Sequence, residues 1–156
     1  MRRSLTAGLA LVLIAGAAGL WLTRPVKSDP ELFAGLTGEA SRGERIFWAG
    51  GCASCHAAPD ASGEARLVLS GGERLTTDFG TFVVPNISPD PDHGIGGWTV
   101  ADLDSALRHG TSPERSHYYP SFPYTSYAHV EPQDVADLKA GLGDFAGTVP
   151  QGLGRG

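Results

Sequence analysis

The residues of this chain best placed to do chemistry are two cysteines and the histidine that follows them. They occur in the run Cys52-Ala53-Ser54-Cys55-His56. This C-x-x-C-H spacing is the attachment pattern of a c-type haem, because two thiols that face one side of a tight turn can add across the two vinyl groups of the porphyrin. The histidine is then held beneath the iron as its proximal ligand. The pattern therefore predicts one covalently attached haem c, with thioethers at Cys52 and Cys55 and with iron bound by His56.

Two other kinds of site use a pair of cysteines at this spacing. A zinc site would need two further soft ligands, and Cys52 and Cys55 are the only cysteines of the chain. A thioredoxin-like redox pair is expected after a strand in a βαβ unit and has no use for His56. Haem attachment is the interpretation that uses all three residues.

The composition is that of a small globular domain with many loops. The chain has 156 residues, enough for one domain and an N-terminal segment. Its 22 glycines and 11 prolines predict short helices joined by long irregular segments. The net charge is −5 and the basic residues are scattered, which argues against nucleic acid as a partner. Since the haem interpretation uses both cysteines, no disulfide is expected.

The N-terminus has the pattern of an export segment, with two arginines before an apolar run over residues 5–22. In a helix this run would be about 27 Å long, close to the thickness of a bilayer core. The small residues 15–17 offer a cleavage site, whereas the end of the run at Arg24 favours an uncleaved anchor. We predict a signal peptide or, preferably, a membrane anchor over residues 1–23. Either places the following domain on the periplasmic side of a bacterial inner membrane.

The rest of the chain divides into a linker over residues 24–40, a domain over residues 41–143 and a Gly-rich tail over residues 144–156. The linker contains prolines, glycines and mixed charges, and the tail is predicted to be disordered. At the start of the domain, Ser41 and Glu44 have the spacing of a capping box. The helix that they begin should end at the two glycines before Cys52.

Two further helices and a hairpin are expected after the haem motif. Thr99 begins a helix with a capping box and Gly110 ends it, while a last helix starts near Pro132 and carries a stripe of apolar residues. Residues 66–69 and 73–76, on either side of two glycines, predict a small hairpin, followed by another extended piece over residues 79–84.

Several segments carry a more specific pattern, and they are Phe47-Trp48-Ala49-Gly50-Gly51-Cys52, Pro85-Asn86-Ile87-Ser88-Pro89-Asp90, Gly94-Ile95-Gly96-Gly97-Trp98-Thr99 and His117-Tyr118-Tyr119-Pro120-Ser121-Phe122-Pro123-Tyr124-Thr125-Ser126-Tyr127. Together they resemble the cytochrome c subunits of membrane-bound bacterial dehydrogenases and related diheme cytochromes. The resemblance covers residues 41 to about 142. It implies a mainly α, class I cytochrome c fold, in which the first and last helices cross beside the haem.

The chain departs from that group at two positions. Members usually carry a methionine after the Thr-Ser-Tyr stretch as the second axial ligand, whereas this chain has Val130 in the aligned position and no methionine besides Met1. Members also carry an aromatic residue near the end of the last helix, where it packs on the first helix. This chain has Gly141 there, and the tail after it does not resemble the family.

The missing methionine leaves the distal iron ligand to be assigned by elimination. His129 lies one position from the aligned ligand, and imidazole is a strong iron ligand. We therefore predict ligation by His56 and His129, with His117 or an open iron as the alternatives. Tyr124 and Tyr127 are predicted to line the haem pocket and to bond its propionates.

Together these expectations indicate a protein that transfers electrons. We expect a single-haem c-type cytochrome that carries electrons and does not itself transform a substrate. Its partners would be redox proteins, namely a dehydrogenase subunit, a terminal oxidase or another cytochrome, and it would be tethered to the membrane. The alternative is a haem protein with an open sixth iron site that senses or converts a gas or peroxide.

Overall fold

The computed structural model describes residues 2–145. Within this range the fold is mainly helical, with the α-helices and strands α1 (Arg2–Leu22), α2 (Ala40–Ala49), α3 (Cys52–His56), β1 (Arg74–Thr77), β2 (Gly80–Val83), α4 (Val100–His109) and α5 (Pro132–Asp144). Three short 3₁₀ helices span Pro30–Phe33, Gly63–Leu67 and Tyr124–Tyr127. The mainly α fold with one small hairpin agrees with the prediction. The part of the tail beyond residue 145 lies outside the described residues.

Helices α2 and α5 cross and form the centre of the fold. At the crossing a Cβ atom on Gly43 would lie 1.9 Å from the carbonyl oxygen of Asp137, so only glycine allows the two backbones to approach this closely. Gly141 faces the same point, since its Cβ would lie 2.8 Å from the carbonyl carbon of Gly43. Glycine at both positions thus fixes where the first and last helices of the domain meet.

An aromatic contact accompanies this crossing, although it does not come from position 141. Phe145 directly follows α5 and is 6% exposed, and its ring packs edge-to-face on fully buried Phe47 of α2 with 4.9 Å between centroids. The aromatic residue lies four positions beyond Gly141, so the glycine and the aromatic ring occupy successive turns of the same helix. Burial of both rings contributes to the core on which the site depends.

The predicted stripe on α5 and the predicted cap on α4 are confirmed. Val135, Leu138 and Leu142 are all at most 5% exposed. Thr99 accepts a hydrogen bond from the Asp102 backbone N–H, and the Asp102 carboxylate accepts one in return from the Thr99 backbone, which completes the capping box.

The first cap of the domain is not the predicted one. Helix α2 begins after Glu39, which makes no side-chain cap, and Ser41 donates instead to the Glu39 carboxylate. The Glu39 backbone N–H donates to buried Asp137 on α5 at 2.7 Å. This tertiary bond holds the chain where α2 starts, and Ser41 lies inside the first turn of the helix and not at its cap.

The hairpin also differs from the prediction. Strand β1 pairs with β2 in the register Arg74↔Val83 to Thr77↔Gly80, so the turn lies at residues 78–79 and not at the two earlier glycines. Those glycines are used elsewhere, because the Gly71 backbone N–H donates to the His56 carbonyl oxygen and the Gly72 backbone N–H donates to that of Val84. These two hydrogen bonds connect the haem motif to the end of the hairpin.

The segment of residues 24–40, predicted as a linker, bonds to α4 through Lys27 and Ser28 and to α5 through Glu39. Ser28 is buried; its backbone N–H donates to the Ser105 hydroxyl at 3.0 Å and its own hydroxyl donates to the fully buried carboxylate of Asp104. Lys27 pairs with Asp102 at 2.7 Å.

Helix α1 covers the predicted export segment. Within the described residues, no helix has both the length and the hydropathy needed to cross a membrane. The choice between a signal peptide and an anchor stays a prediction.

Candidate haem-binding site

The two cysteines and the histidine of the motif lie on the single short helix α3. Cys52 and Cys55 are three positions apart and His56 is four positions from Cys52, so their side chains leave the helix on one side. The chain enters this helix through Gly51, whose φ of 69° lies in the left-handed region. Glycine adopts this conformation without steric cost, which allows α3 to begin immediately after α2.

The two thiols differ in their surroundings. Cys52 packs against the hydrophobic core and is half-buried, and burial raises the pKa of its thiol to about 11. Cys55 is exposed. Both thiols are free, so both are available for thioether bonds from one face of the helix.

The His56 imidazole is held by a backbone carbonyl. Its Nδ1 lies 2.9 Å from the Pro85 carbonyl oxygen, which can only accept, so Nδ1 carries the proton. The Nε2 lone pair is then left for a metal. Burial lowers the pKa of His56, while the bond to Pro85 raises it, and the net direction is down. A neutral imidazole with a fixed tautomer is the form that binds iron.

Tyr127 closes the site from the loop before α5. Its hydroxyl donates to the Gly50 carbonyl oxygen at 2.9 Å, one peptide away from the haem motif. Its ring stacks on Phe122 with 6.1 Å between centroids. Burial raises the pKa of Tyr127, and the two thiols, Cys52 and then Cys55, raise it further. The structure therefore places Tyr127 near the two cysteines, and its hydroxyl donates its hydrogen bond to a backbone carbonyl oxygen.

Tyr124 lies in the same 3₁₀ helix as Tyr127 but contacts a different element. Its ring lies against Gly110 at the end of α4, where a Cβ atom would be 2.7 Å from the ring. It also approaches Phe122, with 6.5 Å between centroids. Within residues 2–145 its hydroxyl makes no hydrogen bond.

The two candidate distal histidines are placed differently. The Nε2 atom of His117 is 2.8 Å from the Thr23 carbonyl oxygen, which ties this imidazole to the segment after α1. His129 is exposed and follows the 3₁₀ helix of Tyr127, and its imidazole makes no hydrogen bond within the described part of the chain. Of the two, His129 has the uncommitted ring nitrogens.

These residues fit a covalently bound haem. Two free thiols on one helix face and an imidazole held in the metal-binding tautomer are the donor set of haem c. Sequence reasoning missed the part played by Pro85, although its segment was among those noted. Its contribution is a backbone carbonyl, and residue type gives no indication of where a carbonyl points.

Comparison with known proteins points the same way. A family model described as "Cytochrome c" matches residues 40–140. A protein of Cereibacter sphaeroides named "Diheme cytochrome c-type" is 95% identical over 150 residues, which cover 96% of this chain and 49% of that protein. The fructose dehydrogenase cytochrome subunit of Gluconobacter japonicus is 31% identical over 88% of this chain and 26% of its own length.

A third relative is the cytochrome c subunit of a quinone-dependent alcohol dehydrogenase of Gluconacetobacter polyoxogenes. It is 35% identical over 131 residues, which cover 84% of this chain and 25% of that protein. The chain thus spans about half or less of the length of these curated relatives.

The prediction of a single haem is contradicted by these relatives. The protein that shares 95% identity with this chain is named as diheme, and the matched region is about half of it. This chain contains one C-x-x-C-H run, whose two thiols and one imidazole can attach one haem. That run therefore accounts for a haem at Cys52, Cys55 and His56 without fixing the total at one.

Proposed function

This chain belongs to the cytochrome c family, and from that premise we propose that it holds a haem c at Cys52, Cys55 and His56 and carries electrons in a dehydrogenase-linked respiratory chain. The observation that carries the proposal is the bond between His56 Nδ1 and the Pro85 carbonyl oxygen. It leaves Nε2 ready for iron on the same helix that presents both thiols. When bound, the haem supplies an iron that alternates between the ferric and ferrous states.

The cysteines hold the group by addition and not by exchange. With haem present, each thiol would add across one vinyl group, with the S–H bond broken, a C–S bond formed and the hydrogen transferred to the adjacent vinyl carbon, so no leaving group is needed. Since Cys52 is half-buried and Cys55 exposed, Cys52 would hold the haem from the core side and Cys55 from the surface. An exposed thioether edge suits transfer to a partner protein.

The histidine and its acceptor set the electronic properties of the site. A carbonyl that accepts from Nδ1 makes the other ring nitrogen a stronger donor and fixes the orientation of the ring. Pro85 is itself positioned by its neighbours, because the Ser88 backbone N–H donates to Asn86 Oδ1 at 2.7 Å and the Ile95 N–H donates to the Ser88 carbonyl oxygen at 2.9 Å. These bonds keep the acceptor in place through both oxidation states.

We propose His129 as the distal ligand. Its support is the hydrogen-bond pattern, since His117 already contacts the Thr23 carbonyl oxygen and His129 has no such partner in the described residues. An imidazole in place of the family's thioether favours ferric iron and lowers the reduction potential. The site would then suit an electron donor early in a chain.

The names of the relatives support the proposed partners, and the N-terminal segment supports the proposed location. Proteins named as cytochrome subunits of fructose, alcohol and gluconate dehydrogenases share this domain. We propose that this chain likewise accepts electrons from a dehydrogenase subunit and passes them to an oxidase or another cytochrome. We place it on the periplasmic side of the inner membrane, held there by residues 1–23. Retention of the native protein by washed membranes tests that tether.

Absorption spectra of the purified protein in both oxidation states test the function. We expect reversible one-electron titration and a low-spin spectrum that carbon monoxide does not change. The substitution His129→Ala should give a high-spin iron that binds carbon monoxide, whereas the matched control His117→Ala should keep the low-spin spectrum. Interchanged results would assign the ligand to His117. Ready binding of carbon monoxide by the unaltered protein would favour the gas- or peroxide-binding alternative.

A further inference from the structure

The peptide that joins Gly50 to Gly51 connects helix α2 to the haem-attachment helix α3. Gly50 ends α2, with its backbone N–H on the Ile46 carbonyl oxygen at 2.8 Å, and Cys52 begins α3 after a single left-handed residue. Gly50 and Gly51 are the two residues between the helices. The orientation of this one peptide therefore sets how Cys52 is presented.

Both polar groups of this peptide are bonded. Its N–H, which belongs to Gly51, donates to the Trp48 carbonyl oxygen at 3.1 Å, a local bond at the end of α2. Its carbonyl, which belongs to Gly50, accepts from the Tyr127 hydroxyl at 2.9 Å. Tyr127 is 77 positions away in the sequence, so this second bond joins the attachment helix to the loop before α5.

The Tyr127 ring and the Cys52 sulfur converge beside the same peptide. A Cβ atom placed on Gly50 would lie 3.5 Å from Cys52 Sγ and 3.8 Å from Tyr127 Cε1. The ring is in turn stacked on Phe122, so it cannot move without disturbing the aromatic contacts of the loop. Tyr127 thus bonds the peptide, and its ring lies beside the same peptide as the inner of the two thiols.

We propose that Tyr127 is a positioning residue for the haem site, acting through the Gly50–Gly51 peptide to hold Cys52 and to keep water from the thioether that forms there. The proposal rests on the proposed function, since it assigns a role at the same haem. Without the hydroxyl, the Gly50 carbonyl oxygen would accept a hydrogen bond from water, and water would enter the space beside Cys52. Hydration favours the more highly charged ferric state, so the reduction potential should fall.

The test compares Tyr127→Phe with Tyr119→Phe in the full-length, haem-loaded protein. Each substitution removes one hydroxyl and keeps a ring that stacks on a phenylalanine, Phe122 for Tyr127 and Phe82 for Tyr119. Only Tyr127 bonds the haem-attachment segment, because the Tyr119 hydroxyl has no hydrogen bond in the described residues. The two variants therefore separate the particular bond from the general loss of a phenol.

Two quantities are measured on each protein. The first is the reduction potential, for which Tyr127→Phe should favour ferric iron by about three- to tenfold, about 30–60 mV for a one-electron couple. The second is amide hydrogen exchange at Gly51 and Ser54, which should become up to about tenfold faster when the bond to the Gly50 carbonyl is lost. Tyr119→Phe should match the unaltered protein in both.

Unchanged exchange in Tyr127→Phe overturns the proposal. Faster exchange with an unchanged potential also overturns it, because the bond would then be structural without acting on the haem. If the unaltered protein holds no covalent haem, the proposed function fails and the hydrogen exchange alone decides whether Tyr127 holds the attachment peptide. Faster exchange in Tyr127→Phe would show that the Tyr127 hydroxyl holds this peptide, and unchanged exchange would show that it does not.

Discussion

Replacing Gly43 by alanine should force helices α2 and α5 apart at the point where they cross. The new Cβ atom would lie 1.9 Å from the Asp137 carbonyl oxygen and 2.9 Å from the Gly141 backbone nitrogen. Ordinary contact of a Cβ atom begins at about 3.4 Å, so the helices would have to separate by about 1.5 Å. The opposing atoms belong to backbone, and no side-chain rotation can relieve the overlap.

The expected loss of unfolding free energy is the difference between two opposing effects. Overpacking of a core typically costs about 1–3 kcal/mol, and the rigid opposing backbone places this site at the upper end. Alanine returns about 1 kcal/mol through its better helix propensity. The free energy of unfolding should therefore fall by about 2 kcal/mol, which lowers the melting temperature by roughly 8 °C or more in a domain of this size.

Gly143→Ala provides the matched control. Gly143 lies in the same helix α5, and a Cβ atom there would meet nothing within 4 Å. This substitution should stabilise the protein by up to about 1 kcal/mol. Urea unfolding followed by circular dichroism measures both variants, with a shifted midpoint and an unchanged slope expected for Gly43→Ala. If Gly43→Ala is as stable as Gly143→Ala, the helices do not cross at this glycine.

Two further predictions concern the polar contacts of the same helices. Thr99→Ala removes the hydroxyl of the capping box on α4 and should cost about 1 kcal/mol in urea unfolding; an unchanged midpoint would show that the cap does not form. The Glu39 backbone N–H, as the largest cause, lowers the pKa of Asp137. The stabilisation by this carboxylate is therefore present above pH of about 4, the pKa of an unfolded aspartate, and is lost as the pH falls below it. Asp137→Asn should destabilise the protein at pH 7, and the difference in unfolding free energy from the unaltered protein should narrow towards pH 3. A difference that is constant with pH would contradict the shift.

The parts of the fold that could be predicted are those whose cause is local. The capping box at Thr99 and the spacing of Val135, Leu138 and Leu142 each depend on residues within two turns of a helix. The C-x-x-C-H run is likewise a local pattern. Such features depend little on what the rest of the chain does.

The parts that could not be predicted depend on contacts far apart in the sequence. The cap at Ser41 did not form because α2 starts two residues earlier, after Glu39, whose backbone N–H is bonded by Asp137 on the last helix. The hairpin was displaced because Gly71 and Gly72 bond to the haem motif and to the end of β2. In both places a local pattern was overridden by a partner that only the folded chain supplies.

The candidate site shows the same division. Cys52, Cys55 and His56 follow from their own spacing, whereas the Pro85 carbonyl on the imidazole and the Gly50 carbonyl under Tyr127 are backbone acceptors. Every residue has a backbone carbonyl, so the residue type does not indicate which carbonyl accepts a hydrogen bond from a distant side chain. The contact of Phe145 with Phe47 was not foreseen for a related reason, since the aromatic residue lies one helical turn beyond the aligned Gly141.

Covalent retention of haem tests the central claim most directly. The protein is produced together with haem-attachment machinery, denatured, separated by electrophoresis and stained for haem peroxidase activity. We predict that haem remains on the unaltered chain, that it is lost from the double variant Cys52→Ala/Cys55→Ala, and that Ser54→Ala, which leaves both thiols in place, keeps it. Loss of haem from the unaltered chain on denaturation, or its retention by the double variant, would contradict the assignment of Cys52 and Cys55 as the points of attachment.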